Sequence, residues 1–304
     1  MTAAIQIAVA MLLDAVFGEP DWLWKKIPHP AVVVGRTIGW LEKKLNRGAP
    51  RKLAGILTVA LLITAGFSVA LVIRILPGSQ IVETVLAAIL LAQRSLADHV
   101  AQVATALRIS LADGRDAVAK IVGRDTSAMD QTAIVRGAIE SAAENLSDGI
   151  IAPVFWFLIA GFPGLLIYKI INTADSMIGY KSEQFAQFGW AAARLDDLLN
   201  WFPARITALL ISLAHFRINT APIILRDAPL HRSPNAGWPE AAMAVCLNIS
   251  LAGPRSYEGV NKDFPLVFPE GQSDLNSGHI DRAVQAIWKT WALALLIVAI
   301  LAVV

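Results

Sequence analysis

Residues 53–73 form a run of 21 side chains without a charge, and this run limits the folds open to the chain. A helix needs about 20 apolar residues to cross the hydrocarbon core of a bilayer, so the run is long enough to span it. The sequence of 304 residues is 56% hydrophobic and only 16% charged, whereas an average soluble domain is about 25% charged. These features predict an integral membrane protein.

Further apolar segments predict that the chain crosses the membrane several times. They are residues 1–17, 81–92, 149–168, 197–216 and 291–304. The predicted fold class is therefore an all-α polytopic membrane protein with about four to six membrane helices, joined by cytoplasmic helical and loop segments. We expect a single integral-membrane domain over residues 1–304.

The segment 149–168 is uncharged and just long enough to span, but glycine and proline interrupt it. Gly161, Pro163 and Gly164 divide it into two pieces that are each too short to cross alone. Helix-breaking backbone at membrane depth is tolerated where protein buries it or water lines it. We therefore predict a re-entrant helical hairpin, which would leave the polar motifs on either side of it on one face of the membrane. A straight span would place them on opposite faces.

The distribution of basic residues predicts the orientation of the chain. Eight basic residues against three acidic ones lie between the first two apolar segments, namely Lys25, Lys26, Arg36, Lys43, Lys44, Arg47, Arg51 and Lys52. The positive-inside rule places this segment in the cytoplasm. The net charge is only +2, so topology explains the basic residues better than nucleic-acid binding does. The single cysteine, Cys246, excludes an intrachain disulfide and a multi-cysteine metal site.

Three acidic residues, Glu140, Glu144 and Asp148, recur at intervals of four. On a helix they form one stripe with about 40° of drift per step. Because like charges at this spacing repel, the stripe requires a counter-charge, which could be a divalent cation, a basic substrate or arginine side chains. Carboxylates of this kind can hold Mg²⁺ jointly with substrate phosphates. Alternatively the stripe is an exposed face with local ion pairs, since Arg136 precedes Glu140 by four residues.

A second group of polar residues follows the apolar hairpin. Asn172, Asp175 and Ser176 are candidate site residues. The alternative is that they cap helix ends, which fits Thr173 and Ser176 well. Lys181 could bind phosphate or anchor the segment at the interface. Asp196 and Asp197 are adjacent, and adjacent residues diverge by about 100° on a helix, so only one of them can easily join a shared metal site.

Residues 226–240 contain three prolines and are predicted to form a loop. This segment carries Arg226, His231, Arg232 and Asn235. Arginines beside a histidine and an amide in a proline-rigidified loop suit the recognition of an anion or a phosphate. The alternative is a basic loop next to the membrane.

No Walker, Rossmann or H-E-x-x-H sequence occurs.

Taken together, these sequence motifs resemble those of the CbiB/CobD family of membrane-bound adenosylcobinamide-phosphate synthases in cobalamin biosynthesis. The resemblance covers nearly the whole chain, and several long motifs occur in the same order. They are Leu12 to Asp14, Gly18 to Pro20, Pro28 to Pro30, Gly35-Arg36, Gly123 to Ser127, Glu140 to Asp148, Asn172 to Tyr180, Arg194 to Asn200, Pro229 to Trp238 and Gly253 to Arg255. Glu19 stands where the family pattern has Asp.

The resemblance implies an ATP-dependent acid–amine ligase that joins adenosylcobyric acid to aminopropanol phosphate. ATP is then a substrate, Mg²⁺ a cofactor, and the site faces the cytoplasm from the inner cell membrane. Under this reading the following roles are expected: catalysis by Glu140, Glu144, Asp148 and Asp175; metal binding by Glu140, Glu144, Asp148, Asp196 and Asp197; and substrate or phosphate binding by Asn145, Asn172, Lys181, Arg194, Arg226, His231, Arg232 and Asn235. The expected partners are the corrinoid and amino-alcohol phosphate substrates and the lipid bilayer, with other cobalamin-assembly enzymes or a second copy of the chain left open.

Two other classes of protein compete with this reading. A non-catalytic membrane sensor, like the AmpE proteins of β-lactamase regulation, could share the fold without the activity. An intramembrane prenyltransferase would use paired aspartates, but its D-D-x-x-D arrangement is absent because Leu198, Leu199 and Asn200 follow Asp197. The full set of acidic and basic motifs favours the synthase.

Overall fold

The computed structural model describes residues 1–48, 50–257 and 260–303. Within this part of the chain the α-helices are α1 (Ala3–Phe17), α2 (Asp21–Trp24), α3 (Pro30–Leu45), α4 (Arg51–Arg74), α5 (Ser79–Leu90), α6 (Gln93–Ile109), α7 (Leu111–Val118), α8 (Gln131–Leu146), α9 (Ala152–Ile178), α10 (Trp190–Leu199), α11 (Trp201–Ala214), α12 (Ala221–Asp227), α13 (Gly237–Leu247) and α14 (Ser277–Val303). A π-helix (Ser147–Ile151) follows α8, and 3₁₀ turns occupy Ile218–Thr220 and Ala228–Leu230.

Within the described residues, extended structure is confined to short strands between α13 and α14. They are β1 (Leu251–Ala252), β2 (Arg255–Tyr257), β3 (Val260–Lys262) and β4 (Leu266–Val267). β1 pairs antiparallel with β4, and β2 pairs antiparallel with β3. The predicted all-α class is therefore confirmed.

Four helical stretches of the described residues are long and apolar enough to cross a membrane. They are Arg51–Arg74, Ser79–Ile109, Gln131–Ile178 and Ser277–Val303. Two shorter apolar helices, Ala3–Phe17 and Trp201–Ala214, accompany them. This number agrees with the expected four to six membrane helices, and the protein is a multi-pass membrane protein.

The chain divides into two compact units. The first comprises Met1–Ala92, Ala152–Asn200 and Val298–Val304, and the second comprises Gln93–Ile151 and Trp201–Ile297. The expectation of one domain over residues 1–304 stays a prediction.

The core of the first unit is formed by α3, α4, α9 and α10. Ile38, Leu62, Ile171 and Phe188 are all buried in one hydrophobic cluster. Gly55 allows the segment before α10 to approach α4, because a Cβ at this position would lie 1.8 Å from the carbonyl oxygen of Phe188. Any larger residue at position 55 would therefore separate these elements.

α9 is interrupted where glycine and proline predicted a break. Ala160 (φ −133°, ψ 16°) and Gly161 (φ 65°, ψ −159°) depart from helical geometry. A Cβ at Gly164 would lie 2.5 Å from the carbonyl oxygen of Trp156, eight residues earlier, whereas eight residues of unbroken helix advance about 12 Å. The chain therefore turns back sharply, as a helical hairpin requires. That the motifs flanking this hairpin share one membrane face stays a prediction.

The second unit is built around two helices that are buried along nearly their whole length, α8 and α13. Asp130 caps α8, because its side chain accepts a hydrogen bond from the backbone N–H of Ala133 at 2.7 Å. Each helix buries three alanines and at least one glycine, and α8 also buries Ser141. Small side chains let helix backbones approach closely, as in membrane helix pairs.

Two boundary predictions were wrong. Residues 197–216 are not one helix, because α10 ends at Leu199 and α11 begins at Trp201. Residues 226–240 are not a simple loop, because they contain the end of α12, a 3₁₀ turn and the start of α13. Pro229 lies in the first turn of that 3₁₀ segment and Pro239 in the first turn of α13. Both positions tolerate a missing N–H, so these prolines begin helices instead of excluding them.

Candidate active site

The acidic stripe of the second unit lies on α8 and on the π-helix that follows it. Glu140 is buried, Glu144 is exposed and Asp148, inside the π-helix, is half-buried. A π-helix has i→i+5 hydrogen bonds and occurs frequently at functional sites. It changes the angular step between residues, so Asp148 does not continue the stripe with α-helical spacing. The three carboxylates therefore occupy three different environments.

Glu140 is the buried member, with 3% of its surface exposed. Its Oε2 lies 2.5 Å from Nη2 of Arg124, whose side chain is 9% exposed. Its Oε1 accepts the backbone N–H of Ala252 at 2.7 Å. The carboxylate thus joins α8 to the turn before that helix and to strand β1. The counter-charge that the stripe was predicted to require is, for Glu140, an arginine.

Arg136 is not the partner of Glu140, so the alternative of a local ion pair one helical turn away was wrong. Its Nε donates to the backbone carbonyl of Ser250 at 3.2 Å. Asn145 is placed on the exposed side of α8, where its amide donates to the carbonyl and the hydroxyl of Ser141. Ser141 in turn donates to the carbonyl of Ile121. These bonds orient Asn145 at the surface of the helix.

A charged cluster forms at the end of α12. Arg226 donates to both oxygens of Asp227, at 2.6 Å and 2.9 Å, and to both oxygens of Glu270. Asp227 is buried and also accepts the backbone N–H of Phe268. The guanidinium lowers the pKa of Glu270 through these hydrogen bonds. Arg226 would have to exchange a carboxylate for a phosphate to act as a phosphate ligand, and that role stays a prediction.

His231 and Asn235 are held by the turn between α12 and α13. Nδ1 of His231 accepts the backbone N–H of Ser233 at 3.0 Å, so the proton of the neutral ring is on Nε2. That nitrogen lies 3.7 Å from Oε1 of buried Glu240. Asn235 is buried and accepts a hydrogen bond from Arg205.

The exposed Arg232 borders a small pocket together with His231. The other lining residues are Leu230, Ala252, Phe264, Pro265 and Val267. Ala252 is the residue whose N–H bonds to Glu140. The pocket and the buried ion pair thus share one residue of strand β1.

The first unit contains a separate hydrogen-bond network centred on Asp196. Its Oδ1 accepts from the amide of Asn172 at 3.2 Å, and its Oδ2 accepts from the amide of Asn200 at 3.0 Å. Tyr168, which is fully buried, donates to the amide oxygen of Asn200 at 2.9 Å. The structure therefore brings together Asn172 and Asp196, two residues that separate sequence motifs had identified as site candidates.

Asp197 diverges from Asp196, as the 100° step between adjacent helical residues predicted. It lies 3.9 Å from Nη1 of Arg194, whose side chain is 70% exposed. Burial raises the pKa of Asp197, while the charges of Arg194 and Lys181 oppose this rise. The two aspartates thus have different partners: Asp196 is bonded to two amides, whereas Asp197 lies near two cations.

Asp175 is half-buried near the end of α9. Gly179 makes room for its carboxylate, since a Cβ at this glycine would lie 1.9 Å from Oδ1. The hydroxyl groups of Thr173 and Ser176 do not cap the helix end. They donate to carbonyls one turn earlier, those of Lys169 and Asn172. The capping alternative for these hydroxyls was wrong.

We expect Asp196 to make the stability of the protein dependent on pH. Burial raises its pKa from 3.8 to about 6, although the two amide hydrogen bonds lower it. The pKa of Asp196 is higher in the folded state than in the unfolded state. The free energy of unfolding is therefore highest below about pH 4 and falls by roughly 3 kcal/mol as the pH rises through 6. We expect Asp196→Asn to remove this loss between pH 4 and 7, measured as the difference in thermal midpoint from the wild type. An unchanged pH slope would contradict the prediction, and Asp98→Asn on an exposed surface is the control.

The residues offer a partial fit to the Mg²⁺ that the family resemblance implied. Over residues 1–48, 50–257 and 260–303, no three His, Cys, Asp or Glu side chains converge on a point where they could hold a metal. Mg²⁺ bound with a nucleotide needs only one or two carboxylates beside phosphate oxygens and water. Glu144 and Asp148, being exposed and half-buried, suit that mode better than Glu140 or Asp196, which are buried in hydrogen-bond networks.

Sequence reasoning missed the groups that hold the candidate residues. Arg124 pairs with Glu140 over sixteen positions, and no spacing rule connects them. Asn200 lies four residues after Asp196, and that interval is a signal that could have identified it. Tyr168 was assigned to the apolar segment, although a buried tyrosine hydroxyl usually requires a partner.

Comparison with known proteins gives close relatives over nearly the whole chain. The sequence model of the CobD/Cbib protein family matches residues 7–287. A cobalamin biosynthesis protein CobD from Sinorhizobium sp is 48% identical over 300 residues, 93% of each chain. The proteins of the same name from Brucella suis biovar 1 and Rhodobacter capsulatus are 46% and 47% identical, covering 95% and 84% of this chain and 94% and 84% of their own. No solved structure matches.

Proposed function

The chain belongs to the CobD/CbiB family, and from this premise we propose that it is an ATP-dependent acid–amine ligase. Membership gives it a role in cobalamin biosynthesis. The proposed reaction joins adenosylcobyric acid to (R)-1-amino-2-propanol O-2-phosphate and yields adenosylcobinamide phosphate. The observation that carries the proposal is the 48% identity to a cobalamin biosynthesis protein over 93% of both chains.

The reaction needs an activated carboxylate, because a carboxylate is a poor acyl donor. An oxygen of the corrinoid propionate attacks the γ-phosphorus of ATP, the bond to ADP breaks and an acyl phosphate forms. The nitrogen of the amine then attacks the acyl carbon, and inorganic phosphate leaves with the electron pair of the C–O bond. The ammonium group loses one proton to a base before this attack, and a second proton leaves to solvent as the amide forms. The products are one amide, ADP and phosphate.

The carboxylates that we assign to this chemistry are the accessible ones. Glu144 is exposed, and Asp148 and Asp175 are half-buried, so the protein leaves each of them at least partly uncovered. One of them accepts a proton from the ammonium group, which frees the lone pair of the nitrogen for the attack. Glu144 and Asp148 would hold Mg²⁺, which when bound would neutralise phosphate charge. Glu140 and Asp196 then act from buried positions, by fixing β1 and Asn172 respectively.

The basic residues that we assign to phosphate binding are those that reach solvent. Arg194, Lys181 and Arg232 have exposed side chains. A guanidinium can donate two parallel hydrogen bonds to one phosphate. Asn145 and Asn172 would orient the amide or carboxylate groups of the corrin. We place the site on the cytoplasmic side of the inner membrane, because the basic segment between α1 and α4 follows the positive-inside rule.

The test is direct synthesis by the purified full-length protein in detergent. With adenosylcobyric acid, aminopropanol phosphate, ATP and Mg²⁺, we expect a corrinoid with the mass of the amide and one ADP per amide formed. Omitting ATP or the amine should abolish the product. If a known synthase is active in parallel and this protein forms no amide, the ligase proposal fails and the non-catalytic, AmpE-like alternative gains support.

A further inference from the structure

The outward face of α3 carries a shallow groove that the proposed ligase site does not use. Val33, Arg36, Thr37 and Trp40 line it. Val33 is 47% exposed and Trp40 is 60% exposed. The opposite face of the helix is fixed, because Ile38 and Leu41 are buried in the core of the first unit. α3 therefore presents an aliphatic and an aromatic side chain beside a cation.

The charge of this face is strongly positive and not neutralised. Among the described residues no hydrogen bond or ion pair is made by the side chains of Arg36, Lys43, Lys44 or Arg47. The acidic residue of the helix, Glu42, is directed elsewhere: its Oε1 accepts from Asn46 and Gln184. Thr37 donates its hydroxyl proton to the carbonyl of Val33. Arg36 is thus the group in the groove that can bind an anion.

α3 directly precedes a membrane helix in the chain, so we expect its exposed face at the membrane boundary. α3 ends at Leu45, and the membrane helix α4 begins at Arg51. Asn46, at the end of α3, donates to the backbone carbonyl of Gln184, outside the membrane helices. Trp40 lies with basic residues in the segment that leads into α4, and exposed tryptophans beside basic residues next to membrane helices are typical of the headgroup region.

We propose that this groove is a binding site for an anionic phospholipid. The guanidinium of Arg36 binds the phosphate, and Val33 and Trp40 pack against the glycerol and the first acyl carbons. Lys43, Lys44 and Arg47 extend the positive surface along the helix and attract further anionic headgroups. A soluble anion would account for the arginine but not for the two exposed apolar walls. The proposal is independent of the ligase reaction.

Retention of lipid by the purified full-length protein tests this site. The protein is delipidated in detergent, incubated with equal amounts of phosphatidylglycerol and phosphatidylcholine, and analysed by native mass spectrometry. We expect phosphatidylglycerol to be retained preferentially. Arg36→Gln should lower its retention about fivefold, which corresponds to the ~1 kcal/mol that one cation contributes near an anionic surface. Trp40→Ala should lower the retention of both lipids.

Arg74→Gln is the matched control, because Arg74 is an exposed arginine at the other end of α4. It should retain as much phosphatidylglycerol as the wild type. Equal losses in the Arg36 and Arg74 variants, or equal retention of the two lipids by the wild type, would overturn the proposal. Displacement of the lipid by millimolar inorganic phosphate would also overturn it, since it would identify a general anion site.

Discussion

Glu140→Gln is expected to lower the free energy of unfolding by about 3–5 kcal/mol, because Arg124 would keep a buried charge without its counter-charge. Gln preserves an oxygen that can accept the N–H of Ala252, so the substitution removes the charge and little else. In detergent this corresponds to a fall in the thermal midpoint on the order of 10 °C. Scanning fluorimetry of the purified variant measures it.

Two further variants separate charge from packing at this site. Adding Arg124→Met to Glu140→Gln should restore most of the lost stability, because replacing both charges with uncharged groups removes the desolvated cation. Asp98→Asn breaks an exposed ion pair, in which the side chain of Asp98 is 52% exposed and that of Arg94 is 47% exposed. This substitution should lower the free energy of unfolding by less than about 1 kcal/mol. A loss of stability in Glu140→Gln no larger than in Asp98→Asn would contradict this expectation. So would a further loss on adding Arg124→Met.

Glu144→Gln and Asp175→Asn are each expected to reduce amide synthesis about 100-fold or more. Loss of a group that transfers a proton or positions a reacting group typically costs 10²–10⁴ in rate. Neither side chain belongs to the buried Arg124–Glu140 ion pair, and both are at least partly exposed, so we expect folding to be retained. Turnover by the mass assay and the thermal midpoint are measured on the same preparations, with Asp98→Asn as the control.

Gly179→Ala tests the position of the Asp175 carboxylate without altering its charge. The added Cβ would lie 1.9 Å from Oδ1 of Asp175, so the carboxylate must move. If Asp175 acts at the reacting centre, this variant should lose turnover nearly as severely as Asp175→Asn. Near-normal rates in both variants, with the ligase activity of the wild type intact, would remove Asp175 from the site while leaving the ligase reaction standing.

The class of the protein and the hairpin break could be predicted from local sequence. A run of 21 uncharged residues has few stable alternatives to a membrane helix, because unpaired backbone groups are too costly in lipid. The break at Ala160 and Gly161 follows from Gly161, whose φ of 65° is open to glycine, and from nearby Pro163. Helix ends were less predictable, since prolines 229 and 239 could either exclude helices or begin them.

The sequence by itself determined that carboxylates, amides and arginines are set among apolar helices, because the order and the spacing of polar and apolar residues can be read directly from it. Only the tertiary structure decided which of these groups are bonded to one another. Glu140 pairs with Arg124 instead of Arg136. Asn172 on α9 donates a hydrogen bond to Asp196 on α10. Burial of a charge is so costly that partners are fixed by where helices pack, and packing brings together residues that no periodicity relates.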